Sequence, residues 1–357
     1  MEKSIVSFNN KKDYIKISHG AILELKNIIE NNKCFFVIDK FIYNNYYNLY
    51  FKDILKNVSY NQIYLFDCKE ENKHIESVLA IIECLSRENY LRDSVLIAIG
   101  GGVIGDTAGF VSSIYMRGIR FINVPTTLLA QIDSSIGGKN AINFQKNKNL
   151  IGTFKHPEEI LIDIDFLNTI SKRELLSGLV EIVKYGIVFE SEFLDYINDN
   201  LENILNLDRK VVQYIILKSC EFKIKVIQED QYDFSSRKVL NFGHTIGHAL
   251  ESVTEYSLYT HGEAVLIGMF YETCIAYELG IIKKNYFDYI LSILGKFKIN
   301  IDVNIFKSNS FYEALQRDKK NKKDKISFIL PEDFSKVSEY MFSLNKIKKI
   351  NYARYSL

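Results

Sequence analysis

Three of the six histidines in this 357-residue chain fall within one stretch, RKVLNFGHTIGHALESVTEYSLYTHGE, residues 237–263. His244 and His248 stand four apart, and His261 follows against Gly262 and Glu263. Neutral imidazole is the commonest metal ligand and exchanges protons near neutral pH, so this concentration points to a divalent metal in a catalytic cleft. Spacing of four aligns two imidazoles on one helix face and by itself would pair His244 with His248, while Glu251 continues the same stripe. Glu181 and Lys184, three apart in SGLVEIVKYG, add a carboxylate and an ammonium among apolar neighbours. A surface ion pair worth a few tenths of a kcal/mol is the bland alternative there. Any three of Glu181, His244, His248 and His261 would make a three-ligand site with one position open, as in catalytic zinc. Periodicity does not choose among them.

A second candidate lies where Leu96–Ile99 runs into GGGVIGD, residues 100–106. A strand, a glycine turn and a helix start let backbone N–H groups approach phosphate oxygens, with the helix dipole adding partial positive charge. Gly100, Gly102 and Gly105 satisfy G-x-G-x-x-G, but the region about twenty residues on, INVPTT, holds no acid for a ribose. An ordinary dinucleotide fingerprint is therefore incomplete. Thr126 and Thr127 have the bland alternative of helix caps. Lys139, presented after Gly137 and Gly138, suits a phosphate or a carboxylate.

The elements that must position these groups change character along the chain. CFFVI (34–38), Ile63–Phe66, Val95–Ile99, Phe121–Val124 and Ile160–Ile164 read as buried strands. Apolar residues recur at helical spacing between His74 and Glu88, so strand and helix alternate, the pattern of a parallel sheet flanked by helices. Beyond residue 165 the spacing is helical over 171–189, 207–228, 238–253 and 262–279. Two domains are expected, 1–165 of α/β type and 166–357 mainly helical, in line with a length beyond which one core stops growing.

Composition narrows the partners. Lys plus Arg (45) balance Asp plus Glu (44), which removes the basic excess of a nucleic-acid or anionic-membrane binder and favours a small-molecule partner. The five cysteines are scattered without CxxC spacing, so a reducing compartment is the natural reading. The first residues lack the apolar run of a signal peptide. The most apolar window, Val95–Met116, is interrupted by glycines and Asp106 and does not make a membrane span. A soluble cytoplasmic protein is expected. The run KKNKKDK at 319–325 has a solvated loop as its plain alternative.

In order and spacing, GGGVIGD, VPTTLLAQIDSSIGGK, KNLIGTF, EIVKYG, LNFGHTIGHALE and HGEAVLIGM resemble 3-dehydroquinate synthase, from about Asp39 to Lys320. That family converts 3-deoxy-D-arabino-heptulosonate 7-phosphate to 3-dehydroquinate and phosphate in the shikimate pathway. It uses NAD reduced and re-oxidised within each turnover and a divalent metal, zinc with cobalt as the alternative. The resemblance implies a Rossmann-like, NAD-binding α/β domain, an all-α metal- and substrate-binding domain, and a homodimer. It makes Glu181, His244 and His261 the metal ligands and moves His248 to the substrate. Catalytic positions carried over are Lys139, Lys184, Arg237, Asn241 and His248. Arg117, Asp133, Asn149, Lys223 and one of Lys319 or Lys320 join them as substrate contacts. For NAD it implies Asp39, Glu70, Lys73, Gly101, Gly102, Val103, Gly105 and Asp106. Thr126, Thr127, Lys139, Lys148 and the run Phe166, Leu167, Asn168 and Thr169 complete that set.

Three departures from the family pattern bear on loop conformation: Asn140-Ala141 after Lys139, Lys155 in F-x-x-P, and Asp324 after DKK. Two rivals share the same architecture. Another sugar phosphate cyclase, of the 2-deoxy-scyllo-inosose or valiolone type, would differ at the group holding the substrate carboxylate, where Arg237, Asn241 and His248 match the dehydroquinate pattern. A metal-dependent dehydrogenase of the glycerol dehydrogenase type would release NADH stoichiometrically.

Overall fold

The computed structural model describes residues 4–8, 13–145, 147–231, 236–317, 325–350 and 354–355. In chain order the elements begin β1 (Ser4–Phe8), β2 (Asp13–Ser18), α1 (Leu25–Asn31), β3 (Cys34–Asp39), α2 (Lys40–Tyr46), β4 (Ile63–Phe66) and α3 (Ile75–Arg87). Next come β5 (Val95–Gly100), α4 (Gly102–Ile114), β6 (Arg120–Pro125), β7 (Lys139–Phe144), β8 (Asn147–Phe154) and β9 (Glu159–Asp163). Helices follow: α5 (Lys172–Phe189), α6 (Ser191–Asp199), α7 (Leu201–Leu205), α8 (Arg209–Glu229), α9 (His244–Val253), α10 (His261–Glu278), α11 (Lys284–Leu294) and α12 (Asn309–Arg317). A hairpin of β10 (Lys325–Asp333) and β11 (Lys336–Ser343) and the short α13 (Leu344–Ile347) close the described chain.

Two compact units result, Met1–Ser171 with Leu207–Tyr232, and Lys172–Asn206 with Asp233–Leu357. The first is built on a seven-stranded sheet of order β1-β2-β9-β6-β5-β3-β4. Only the β1–β2 pair is antiparallel; the other pairings are parallel. Successive strand residues point to opposite faces, and both faces are covered, which is why these strands read as continuous apolar runs. Phe36, Ile38, Ile97 and Ile99 pack on one side, and Phe35, Val37, Leu96 and Ala98 on the other. A separate antiparallel hairpin, β7–β8, packs on α4.

A single cut near residue 165 would leave α8 with the helical unit. Instead α8 packs against β1, β2 and the turn Ala130–Ser134, burying Val212, Ile215, Ile216 and Cys220 in the sheet unit. Helical periodicity shows that α8 has a buried face and says nothing of which neighbour covers it.

The second unit is mainly helical, with the β10–β11 hairpin added. Its centre is α10, buried almost continuously from Gly262 to Ala276 and packed on α5, α9, α11 and β10. A helix apolar all round belongs in the middle of its unit. The expected continuous helix over 238–253 is broken: a 3₁₀ segment, Ser236–Asn241, precedes α9, and Gly243 lies between them in the left-handed region, φ 80°.

Candidate active site

In the helical unit, close helix approach puts the acid and two imidazoles together. Gly262 makes the α5–α10 contact possible, because a Cβ there would overlap the Ser177 backbone. Its N–H donates instead to Ser177 Oγ at 3.0 Å. His261 therefore starts α10 about one turn of α5 away from Glu181. The start is held by a reciprocal cap: Thr260 N–H donates to Glu263 Oε2 at 2.7 Å, and Glu263 N–H to Thr260 Oγ1 at 3.3 Å. Arg173 grips the Glu263 carboxylate at 2.8 and 2.5 Å.

His244 is the first residue of α9. Its Nδ1 lies 3.1 Å from the Phe242 carbonyl oxygen, which directs Nε2 toward Glu181. His244 Nε2 and His261 Nε2 each stand 3.6 Å from Glu181 Oε1. One ligand atom from each of Glu181, His244 and His261 lies within 4.8 Å of the others. The His248 ring sits 5.3 Å from His244, centroid to centroid, on the exposed side and outside this trio. Convergence thus follows the helix packing and not the i, i+4 spacing.

Glu181 is 1% exposed, and among the described residues neither carboxylate oxygen has a hydrogen-bond partner, although Lys184 is ion-paired to it. Burial alone would raise its pKa; Lys184 and His261 bring it down to about 2. Burial opposes charge on His261, while Glu181 and Glu251 hold that ring's pKa up at about 10. An ionised carboxylate with unsatisfied oxygens facing two imidazole nitrogens is a donor set that a divalent cation fits. Arg237 and Asn241 lie on the 3₁₀ segment leading to α9, Arg237 buried at 5% exposure.

In the sheet unit the glycine turn has the expected form: β5 ends at Gly100 and α4 starts at Gly102, with Gly101 as N-cap. Val103 and Gly105 lie in that first turn. A Cβ on Gly101 would come within 3.3 Å of Thr127, and one on Gly102 within 3.0 Å of Ser134 Oγ, so the turn keeps its bare backbone. Thr126 Oγ1 beside it is buried and has no partner among the described residues. An orphaned hydroxyl at a bare helix N-terminus fits a phosphate-bearing cofactor. Thr127 Oγ1 accepts from Ala130 N at 3.2 Å, the capping role.

Lys73 is ion-paired to Asp106 and donates to Asn149 Oδ1 at 2.6 Å. Asn149 N–H donates to Asn143 Oδ1 at 3.0 Å, and Asn143 Nδ2 to Glu70 Oε1 at 2.8 Å. Glu70, Lys73, Asp106 and Asn149 thus form one network, and Asn149, expected with the substrate contacts, stands among the cofactor candidates. Asp39 Oδ1 caps α2, accepting from Phe41 N at 2.8 Å. Phe166 and Leu167 are buried in the segment Ile164–Thr169; Asn168 donates to the Asp165 carbonyl and Thr169 to that of Phe166. Lys148 is half-buried on β8.

Lys139 is exposed at the start of β7, after Gly137 (φ 108°) and Gly138 (φ 69°). The Asn140 departure anchors that turn: its Nδ2 donates to the carbonyls of Gly138 at 2.8 Å and Lys155 at 2.9 Å, joining two departing positions. Lys223 on α8 pairs with Asp133 at 2.5 Å. Arg117 projects from a run of three positive-φ residues, Met116, Arg117 and Gly118. Lys319, Lys320 and Asp324 lie outside the described residues.

Sequence reasoning did not single out Asn143 or Glu272, and it saw Glu251 only as part of a stripe. Glu251 Oε2 lies 3.4 Å from His261 Nδ1. The one available signal for Glu272 was a lone carboxylate in the otherwise apolar run AVLIGMFYETCIA.

The fold is shared with solved synthase structures. The chain superposes with a TM-score of 0.86 on 2-deoxy-scyllo-inosose synthase complexed with carbaglucose-6-phosphate, NAD+ and Co2+, at 24% identity over 98% of each chain. On 2-epi-5-epi-valiolone synthase from Streptomyces hygroscopicus subsp. jinggangensis 5008, with NAD+ and Zn2+ bound, the score is 0.82 at 22% identity, over 98% of this chain and 96% of that one. Sequence is more specific than fold: the 3-dehydroquinate synthase N-terminal model matches residues 63–177 and the C-terminal model 178–321. The 3-dehydroquinate synthase of Alkaliphilus metalliredigens (strain QYMF) is 42% identical over 353 residues, 99% of either chain. The chain belongs to the 3-dehydroquinate synthase family.

Proposed function

We infer that this protein is a 3-dehydroquinate synthase, a lyase that converts 3-deoxy-D-arabino-heptulosonate 7-phosphate to 3-dehydroquinate and phosphate in aromatic amino acid biosynthesis. End-to-end 42% identity to a curated enzyme of that name carries the reading. Glu181, His244 and His261 hold the divalent metal, and the glycine turn with Thr126 and the Lys73 network serves NAD. When bound, NAD supplies a hydride acceptor and donor, and the metal supplies Lewis acidity.

The chain's own residues then bind, orient and move protons. Arg237, buried and permanently charged, suits the planar substrate carboxylate. Lys139 on its glycine turn offers a point charge for phosphate, and Lys223, braced by Asp133, offers another. Lys184 is held against Glu181, where a fixed ammonium stabilises negative charge developing on substrate oxygen. His248 relays the proton of the hydroxyl being oxidised. Oxidation acidifies the neighbouring C–H, whose proton the departing phosphate itself accepts, so no separate strong base is needed. Asn241 completes the polar wall at the entrance to α9.

A cytoplasmic location and a homodimeric state belong to this proposal. Among the described residues no helix is long and apolar enough to cross a membrane, and the homodimer is what the family resemblance implies. Sedimentation of the purified chain tests the dimer. The activity is tested by phosphate release from the heptulosonate phosphate, with and without NAD and a chelator. Release that needs both cofactors, without net NADH, is expected; stoichiometric NADH would identify a dehydrogenase instead.

A further inference from the structure

Glu272, in the middle of α10, is 0% exposed. Its carboxylate faces the start of α9. Gly243 N–H donates to Oε2 at 2.7 Å, and Ile246 N–H donates to Oε1 at 3.1 Å. These are N–H groups at the N-cap and third helical position, two of the donors that a helix start leaves without intrahelical partners.

The need for an outside acceptor follows from the packing. Gly243 has no side chain to cap α9, and none is tolerated: it is left-handed, and a Cβ would lie 2.7 Å from the Val265 carbonyl oxygen. Gly268 likewise must lack a Cβ, which would overlap the Gly243 carbonyl oxygen. Close contact of α9 with α10 thus excludes the ordinary cap, and α10 supplies the acceptor one turn beyond Gly268. The clamp encloses His244 and Thr245, between Gly243 and Ile246, and so fixes the backbone that carries the His244 imidazole.

We propose that Glu272 is a positioning residue for the metal centre: it fixes the first turn of α9 and thereby aims His244 Nε2 at the site shared with Glu181 and His261. The negative charge suits the positive end of the α9 dipole, which stabilises it in a buried setting. The inference rests on the metal-centre reading.

Zinc affinity is measured by competition with a chromophoric chelator for the full-length wild type, Glu272→Gln and Glu272→Ala, together with the visible spectrum of the cobalt-loaded proteins and NAD affinity. Glutamine keeps the shape but presents an amide N–H to one of the two backbone donors. Its zinc affinity is expected to fall about 10- to 100-fold, the usual loss for an outer-sphere partner, with a changed cobalt spectrum and unchanged NAD affinity. Glu272→Asp, which retains both acceptor oxygens, is expected to recover part of the loss. Wild-type affinity and spectrum in a folded Glu272→Gln protein, even one with a lower melting temperature, would overturn the clamp and leave the metal centre standing. Failure of the wild type to bind zinc would overturn the metal-centre reading itself.

Discussion

His261 stands between two carboxylates: its Nε2 is 3.6 Å from Glu181 Oε1, and its Nδ1 is 3.4 Å from Glu251 Oε2. Once a metal takes the place of the Nε2 proton, an imidazole that donates Nδ1–H to one acid presents its Nε2 lone pair in the opposite direction, toward Glu181 and His244. Partners of this kind set tautomer and ring orientation. Glu251→Gln is accordingly expected to weaken zinc binding about 10-fold and Glu251→Ala up to about 100-fold. Chelator competition measures both; unaltered affinity in the alanine variant would remove Glu251 from the site.

The division between ligand and substrate histidines separates two alanine variants. His261→Ala should lose the metal, whereas His248→Ala should retain stoichiometric metal while turnover falls by about 100-fold or more, the range for a lost proton relay. Metal content by atomic absorption, beside phosphate release, distinguishes them. Equal metal loss in both would restore the i, i+4 pairing.

Lys139→Ala is expected to weaken substrate binding about 10- to 100-fold, equivalent to the ~1.5–3 kcal/mol of a hydrogen bond to a charged group. NAD affinity, read by fluorescence titration, should change far less. Asn140→Ala offers a sharper check on the turn. It removes the bonds to the Gly138 and Lys155 carbonyls, so it should impair substrate binding although its side chain is buried.

Glycine at 262 is a packing requirement with a functional consequence. A methyl group there would overlap the Ser177 backbone, so Gly262→Ala should destabilise the helical unit by about 1–3 kcal/mol. Because the forced separation acts between Ser177 and His261, zinc affinity should fall as well. Thermal melts with and without zinc report both effects; a variant with wild-type melting and metal binding would refute the close-contact account.

Metal removal tests the whole centre at once. A chelator should abolish phosphate release and lower the melting temperature, since a ligand bound only to the folded state stabilises it. NAD binding should survive, because the glycine turn and the Lys73 network lie in the other unit. Re-addition of zinc should restore activity.

Local pattern determined much of this molecule. Apolar runs closed by Asp39 or by glycines are buried strands because both sheet faces are covered, and the glycine turn after Ile99 is legible because only bare backbone packs there. Motif order alone carried the family. What periodicity could not supply was convergence. Glu181, His244 and His261 come from three helices, and which imidazole reaches the acid is set by Gly262 against Ser177 and by the break at Gly243. The same limit explains α8, whose buried face is visible in sequence while its partner is not. The stretch 237–263 announces a site through its histidines; the tertiary contacts of α5, α9 and α10 assign each one, because side chains far apart in sequence meet only where backbones approach.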